Sequence, residues 1–311
     1  MKTKRILGAA LSALLTAFFC LSPAAGAAGL NDIKNYNFEQ EILLLNVLGI
    51  VEGDENGDFN PNEYVTRAEA AKLMMTAFSY DGTIYSPRGT EFSDVGAEHW
   101  ASGYIQAAAD VGHIAGMGDG TYMPESNITF EQACTLIVRA LGYDMFAQDM
   151  GGYPTGHMYY ANDLGLTEKL SFSDTDDITR GEFAYILAKA MEAPMVEALG
   201  GFFGSSQLII MQGTGTGYVC PMGEYHRAFR VDGTVTGTPR NNDDVRNGEM
   251  KINITYARRL GNAYISSAVP IEIKCKTADS DGEINKLLFM RGEFVLKLTD
   301  TEEYTALMII I

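Results

Sequence analysis

The sequence is short of cations, cysteine and tryptophan, and each shortage excludes something. Lys and Arg number 23 against 40 Asp and Glu, a formal net charge of −17 over 311 residues. A surface this acidic repels phosphate backbones and argues against sequence-independent nucleic-acid binding. Of the 4 cysteines, Cys20 lies in an N-terminal apolar run. The remaining Cys134, Cys220 and Cys275 are odd in number and have no zinc-ligand spacing, so they form neither a closed disulfide framework nor a metal knuckle. Cys134 falls on the apolar face of a predicted helix, as packing, while pairing of Cys220 with Cys275 stays open. The histidines His99, His113, His157 and His226 also lack ligand spacing. Asp54-Glu55-Asn56-Gly57-Asp58 has the look of a calcium loop, but its glycine is misplaced and Val65 stands where a bidentate acid is needed.

Catalytic signatures are equally scarce. No Gly-x-Ser-x-Gly occurs, and Gly213-Thr214-Gly215-Thr216-Gly217 is not followed by Gly-Lys-Ser/Thr, so neither a nucleophile elbow nor a P-loop is present. No cofactor or metal is expected, and an enzyme is not the leading expectation. Past residue 28 no stretch approaches the roughly 20 apolar residues of a spanning helix.

The chain nevertheless has 46% hydrophobic and 20% charged residues, enough apolar material for a packed core rather than a disordered acidic tail. Its start has a basic stretch (Met1-Lys2-Thr3-Lys4-Arg5), an apolar run from Ile6 to Leu21 and a small-residue end, Pro23 to Ala28. That layout predicts a secretory signal peptide over 1–28, in preference to a lipid anchor on Cys20 or an uncleaved membrane anchor. The charge is uneven: residues 29–195 hold 8 basic and 26 acidic residues, whereas 196–311 hold 12 and 14. The shift points to a boundary near residue 196.

The acidic block repeats itself. At an offset of 63, Gly49, Gly53, Phe59, Pro61, Val65 and Thr66 fall on Gly112, Gly116, Tyr122, Pro124, Ile128 and Thr129. At an offset of 50, Ile128 and Thr129 fall on Ile178 and Thr179. After each threonine the apolar residues recur at helical spacing, beginning at Ala70, Ala133 and Phe183. Thr66 with Glu69, Thr129 with Gln132 and Thr179 with Glu182 predict capping boxes. An earlier helix in each copy, Glu39–Leu48, His99–Val111 and His157–Leu164, stops at Gly49, Gly112 or Gly165. One such unit cannot bury its own stripe, so the copies are expected to pack on one another.

These residues resemble the S-layer homology (SLH) repeat. Its opening Phe-x-Asp-Val and His-Trp appear as Phe92-Ser93-Asp94-Val95 and His99-Trp100; its Gly-Ile-Val-x-Gly as Gly49-Ile50-Val51-Glu52-Gly53; its Ile-Thr-Arg-Ala-Glu as Val65-Thr66-Arg67-Ala68-Glu69 and Ile178-Thr179-Arg180-Gly181-Glu182. By this motif the first copy lacks Asp-Val and His-Trp, the second has Phe130 in place of the arginine, and the third lacks the Asp-Gly-Thr-Phe loop. The resemblance implies an all-α pseudo-trimeric bundle whose inter-repeat grooves bind secondary cell wall polysaccharide, typically ending in pyruvylated N-acetylmannosamine. It also implies non-covalent anchoring in the cell wall or S-layer of a Gram-positive-type bacterium. Family binding groups map onto Arg67, Arg180, Asp94, Trp100, Gly53 and Gly116, with at most two competent grooves.

On the residues alone, Trp100 reads equally as core or as a sugar platform, and Asp94 equally as a turn cap or a ligand contact. Arg67 and Arg180 stand out because a cation in a first helical turn opposes the macrodipole at a cost of about 0.3–1 kcal/mol. An anion nearby would compensate for it, whether an internal carboxylate or a ligand acid.

The expected organisation is copies over 30–80, 91–143 and a shortened 150–195, a linker over 196–206 and a β-rich unit over 207–311. In that last unit the period changes to two, with strand candidates at Phe229–Thr238, Met250–Tyr256, Val269–Cys275, Phe294–Thr299 and Thr305–Ile311. A small all-β sandwich or barrel fits them. The leading expectation is an exported, wall-anchored surface protein with no membrane contact after leader removal. The alternatives are an S-layer or assembly subunit, with homo-oligomer or S-layer neighbours, and an anchored glycan-active enzyme.

Overall fold

The structure, a computed structural model, describes residues 30–78, 86–171, 173, 175–199, 207–211, 219–258, 271–279, 281–299, 301 and 303–310. The expected leader and the Gly213–Gly217 loop lie outside these residues. The helical part contains α1 (Glu39–Val47), α2 (Arg67–Ala77), α3 (Ser102–Asp110), α4 (Phe130–Ala140), α5 (Asp144–Asp149), α6 (Thr155–Asp163) and α7 (Arg180–Met191). After it come β1 (Val196–Leu199), β2 (Gln207–Ile210), α8 (Pro221–His226), β3 (Ala228–Gly237), β4 (Glu249–Arg258), β5 (Ile271–Thr277), α9 (Asp281–Lys286), β6 (Arg291–Leu298) and β7 (Tyr304–Ile310).

All three capping boxes form: the Thr66, Thr129 and Thr179 hydroxyls accept from the N–H of Glu69, Gln132 and Glu182, whose side chains reach back to the cap N–H. Gly49, Gly112 and Gly165 end α1, α3 and α6 with φ of +76°, +76° and +70°, the left-handed conformation that a Cβ disfavours.

The residues just before each box are joined in a closed cycle. Val65 N–H donates to Ile178 O (3.1 Å), Ile178 N–H to Ile128 O (3.1 Å) and Ile128 N–H to Val65 O (2.9 Å). A second cycle runs outside it: Arg67 N–H to Ser126 O, Phe130 N–H to Asp176 O and Arg180 N–H to Glu63 O, at 2.8–2.9 Å. Helix packing follows the same rotation, α3 lying on α2, α6 on α4 and α1 on α7. Each copy's first helix therefore covers the capped helix of its predecessor, and no copy buries its apolar stripe by itself.

The β part is a closed barrel in the order β3-β4-β5-β7-β6, with β3 returning to β6. Every neighbouring pair is antiparallel except β5 and β7, which run parallel through Cys275–Thr277 against Tyr304–Ala306. Alternation explains its interior: Met250, Ile252 and Ile254 of β4 point inward while Lys251 and Asn253 are only partly covered. All five strand candidates are present within the described residues, which leave out Val269, Pro270 and Ile311, and of the sandwich and barrel alternatives these strands take the barrel. The final run is a barrel strand bonded on both sides, by β5 and β6.

Two features differ from expectation. Val196–Leu199, read as linker, is a strand paired antiparallel with β2, and Val196 N–H donates to Leu141 O of the helical part. Pro and Gly composition suggested a linker, but Met195 and Val196 are apolar and buried here. The helical and β parts also share a core. Val219, Cys220, Met222, Ala228 and Val295 belong to the same cluster as the helical stripes, and His226 Nε2 donates to Ala77 O at 2.9 Å. Cys220 sits in this cluster and Cys275 in the separate barrel core, so the two do not form a disulfide with each other.

Candidate functional site

Arg67 and Arg180 open α2 and α7, and the cycle aims each side chain at the following or preceding copy in the same manner. Arg67 Nε donates to Tyr122 O at 2.8 Å and its guanidinium lies 4.5 Å from the Tyr122 ring centroid. Arg180 Nε donates to Phe59 O at 3.0 Å, with its guanidinium 4.9 Å from the Phe59 ring. Tyr122 and Phe59 are the two residues that superpose at the 63-residue offset. At the third equivalent position Phe130 is buried, so that junction has no motif arginine.

The two arginines differ in what neutralises them. Arg180 Nη1 stands 3.7 Å from Glu69 Oε1, the capping-box acid of α2. At the matching position Arg67 meets Gln132, whose Oε1 accepts from Nη1 at 3.0 Å, and Arg67 Nη2 donates to Ala115 O at 3.3 Å. Arg67 is only 8% exposed, yet its hydrogen-bond partners among the described residues are all uncharged. A buried cation held by neutral acceptors alone lacks the counter-charge that such groups ordinarily require.

Arg67 of the first copy lines a cleft of about 390 Å³ together with His113, Gly116, Gln132 and Arg139 of the second and Tyr153 of the third. Among the described residues no Asp or Glu lines this cleft, although residues 29–195 carry 26 of them. Burial, and then the charge of Arg139, push His113 down to about 4, so it is neutral at pH 7. Loss of solvent, reinforced by its hydrogen bond to Glu131 Oε1 (2.6 Å), pushes the Tyr153 phenol up to about 12. Among the described residues that line the cleft the charged side chains are thus Arg67 and Arg139, with Glu131 and Asp144 bonded behind Tyr153 and Arg139.

The other expected site residues are placed as follows. Gly116 lines the cleft, and a Cβ there would come within 2.6 Å of Thr121 O and 2.8 Å of the Phe92 ring. Gly53, its counterpart, would bring a Cβ within 2.8 Å of the Gly57 carbonyl carbon. Both glycines permit a close loop crossing. Asp94 is a brace: its Oδ1 accepts from Tyr122 N–H (2.8 Å) and its Oδ2 from Met123 N–H (2.7 Å). Burial raises the Asp94 pKa, but these N–H groups outweigh it and hold the carboxyl below its ordinary value. Trp100 is 49% exposed and stacked on His99 with centroids 5.8 Å apart, so it is not core, and it is not among the residues lining the cleft.

One residue escaped the motif reading. Asp32 accepts from Phe59 N–H through Oδ1 and Asn60 N–H through Oδ2, both at 2.7 Å, the same pair of bonds that Asp94 makes. The first copy therefore does carry the opening acid, in Leu30-Asn31-Asp32-Ile33. It was hidden because Leu and Ile replace Phe and Val and because its offset is 62 rather than 63.

The S-layer homology domain model matches residues 30–71 and 91–134. Those segments are S-layer homology domains. The first begins at the Leu30-Asn31-Asp32-Ile33 opening, and the second contains the cleft residues His113, Gly116 and Gln132. Similar proteins include a "Cell surface protein" of Thermoanaerobacter kivui, 30% identical over 205 residues, 65% of this chain and 26% of that protein. A "Middle cell wall protein" of Brevibacillus brevis is 27% identical over 162 residues, 52% of this chain and 15% of the relative. An "Amylopullulanase" of Thermoanaerobacterium thermosulfurigenes is 32% identical over 149 residues, 48% of this chain and 7% of the relative. The chain spans at most about a quarter of these relatives' lengths. The names of these similar proteins thus include both surface proteins and an enzyme. Among the described residues no helix is long and apolar enough to cross a membrane.

Proposed function

We propose that this is a cell-wall or S-layer protein held non-covalently to an anionic wall polysaccharide, with the cleft between the first and second S-layer homology domains as its principal site. The observation that carries the reading is Arg67: buried and, among the described residues, without a carboxylate partner and in a cleft that no acid lines. A ligand carboxylate would supply the missing counter-charge, and the Arg67 guanidinium retains donor capacity beyond its three bonds to the protein. The ligand we favour is the pyruvylated N-acetylmannosamine end of a secondary wall polymer. In this reading the third copy, residues 150–195, completes a pseudo-trimeric bundle of the S-layer homology kind, and Arg180 marks a second groove whose cation is already partly neutralised by Glu69. The barrel is cargo rather than a catalyst.

The test is cosedimentation of the mature chain with wall sacculi. Binding to native sacculi and not to sacculi stripped of secondary polymer is the expected result, with Arg67→Gln removing most of the difference. Equal binding to both preparations would sink the proposal.

A further inference from the structure

Arg139 lies in the last turn of α4, outside the Thr-Arg motif, and lines the same cleft as Arg67. A cation at a helix C-terminus favours the dipole there and needs no further reason to exist. Its surroundings supply one. Arg139 Nε donates to Asp144 Oδ1 at 2.9 Å, while among the described contacts its terminal nitrogens make no hydrogen bond. Asp144 Oδ1 also accepts from His157 Nε2 at 2.8 Å, and the His157 side chain is 0% exposed. Burial raises the Asp144 pKa, but the bonds from His157 and Arg139 outweigh it and keep the carboxyl ionised below its ordinary range. A fully buried imidazole on α6 therefore fixes a carboxylate on α5, which fixes the guanidinium root and leaves its outer face to the cleft.

We infer that Arg139 is a second anion-binding arginine of this cleft, and that Asp144 and His157 are its positioning residues. The inference rests on the wall-polysaccharide reading and narrows it: the ligand acid is held by Arg67 from the first copy and Arg139 from the second, with the third copy setting the second arginine's aim. His113, neutral and beside Arg139, meets the ligand as a hydrogen-bonding group and not as a charge. A carboxylate-bearing sugar fits two arginines and a neutral imidazole; the ketal-free sugar leaves Arg67 without a counter-charge and the terminal nitrogens of Arg139 without an acid.

The experiment titrates the mature chain with N-acetylmannosamine carrying a pyruvate ketal and with the ketal-free sugar. Arg139→Gln is expected to weaken binding of the ketal sugar by about tenfold or more, with ketal-free binding unchanged, and Arg139→Lys to retain part of the preference. Asp144→Asn is expected to give a smaller loss confined to the ketal sugar, and to add nothing once Arg139→Gln is present. Equal loss for both sugars in Arg139→Gln would reduce the residue to a structural role and overturn the inference. An unchanged preference in Arg139→Gln, with the preference lost in Arg67→Gln, would overturn it while the anchoring proposal stands. If Arg67→Gln also leaves the preference untouched, the anchoring proposal falls with it.

Discussion

Arg67 and Tyr122 hold each other from both ends. The Arg67 Nε donates to the Tyr122 carbonyl at 2.8 Å, the Tyr122 hydroxyl donates to the Arg67 carbonyl at 2.9 Å, and the guanidinium lies over the ring between these bonds. The cleft's cation is therefore oriented by the loop of the neighbouring copy. Tyr122→Phe keeps the ring and the carbonyl and removes one buried hydrogen bond from a carbonyl that the helix still satisfies, so it should cost about 1 kcal/mol in urea unfolding while leaving sugar binding weakened only slightly.

Gln132 decides whether the site is open to an outside acid. Gln132→Glu preserves the capping box and places beside Arg67 the carboxylate that Arg180 already has in Glu69. The variant should be at least as stable to urea as the parent and bind the pyruvylated sugar about tenfold or more weakly. A gain in affinity would contradict an anionic ligand at Arg67.

Asp32 and Asp94 make the same brace in two copies, so each should matter equally. Replacing either by Ala leaves two loop N–H groups to water and should lower stability by about 1 kcal/mol, the exposed setting of Asp94 keeping the value small. Urea midpoints of the two variants, compared side by side, check the equivalence.

Acid should destabilise the fold in a definable window. His113 falls from an ordinary 6.5 to about 4 in the folded protein, so between those values the unfolded chain binds the proton first. Stability conferred by the neutral imidazole is present above about 6.5 and is lost as pH falls towards about 4. Buried His226, bonded to the Ala77 carbonyl, is displaced in the same direction. Thermal midpoints of His113→Gln should fall less steeply across this window than those of the parent.

The first two copies should not fold without the third. Because α1 packs on α7 and Ile178 closes the inner hydrogen-bond cycle, a fragment of residues 30–143 loses the cover of α1 and one member of the ring. Circular dichroism of that fragment should show helix content and cooperativity well below those of the mature chain.

Local chemistry made much of this legible in sequence. Thr66 with Glu69 and Gly49 past α1 each encode a helix end within four residues, and their repetition counted the copies. Period-two alternation found the strands because the barrel buries one side of each. What stayed hidden depends on distance. Asp144 and His157 are thirteen residues apart and meet only because α5 and α6 fold back on each other. The lack of a counter-charge on Arg67 needs Gln132 from another copy to be seen. The six-residue helix α8 and the short strand β1 were masked by glycine and proline, whose usual meaning was overridden by the shared core.

The rotation of helix onto preceding helix means that the helical part has no true first or last member. Its entry at α1 and its exit at α7 are stitched to one another as firmly as any internal pair. Cutting the chain between two copies and rejoining the original ends would give the same set of contacts in a permuted order. On the proposed reading, a polymer held between two copies would be gripped by a loop of mutual support, and tension applied through the barrel would reach the cleft from both directions around that loop.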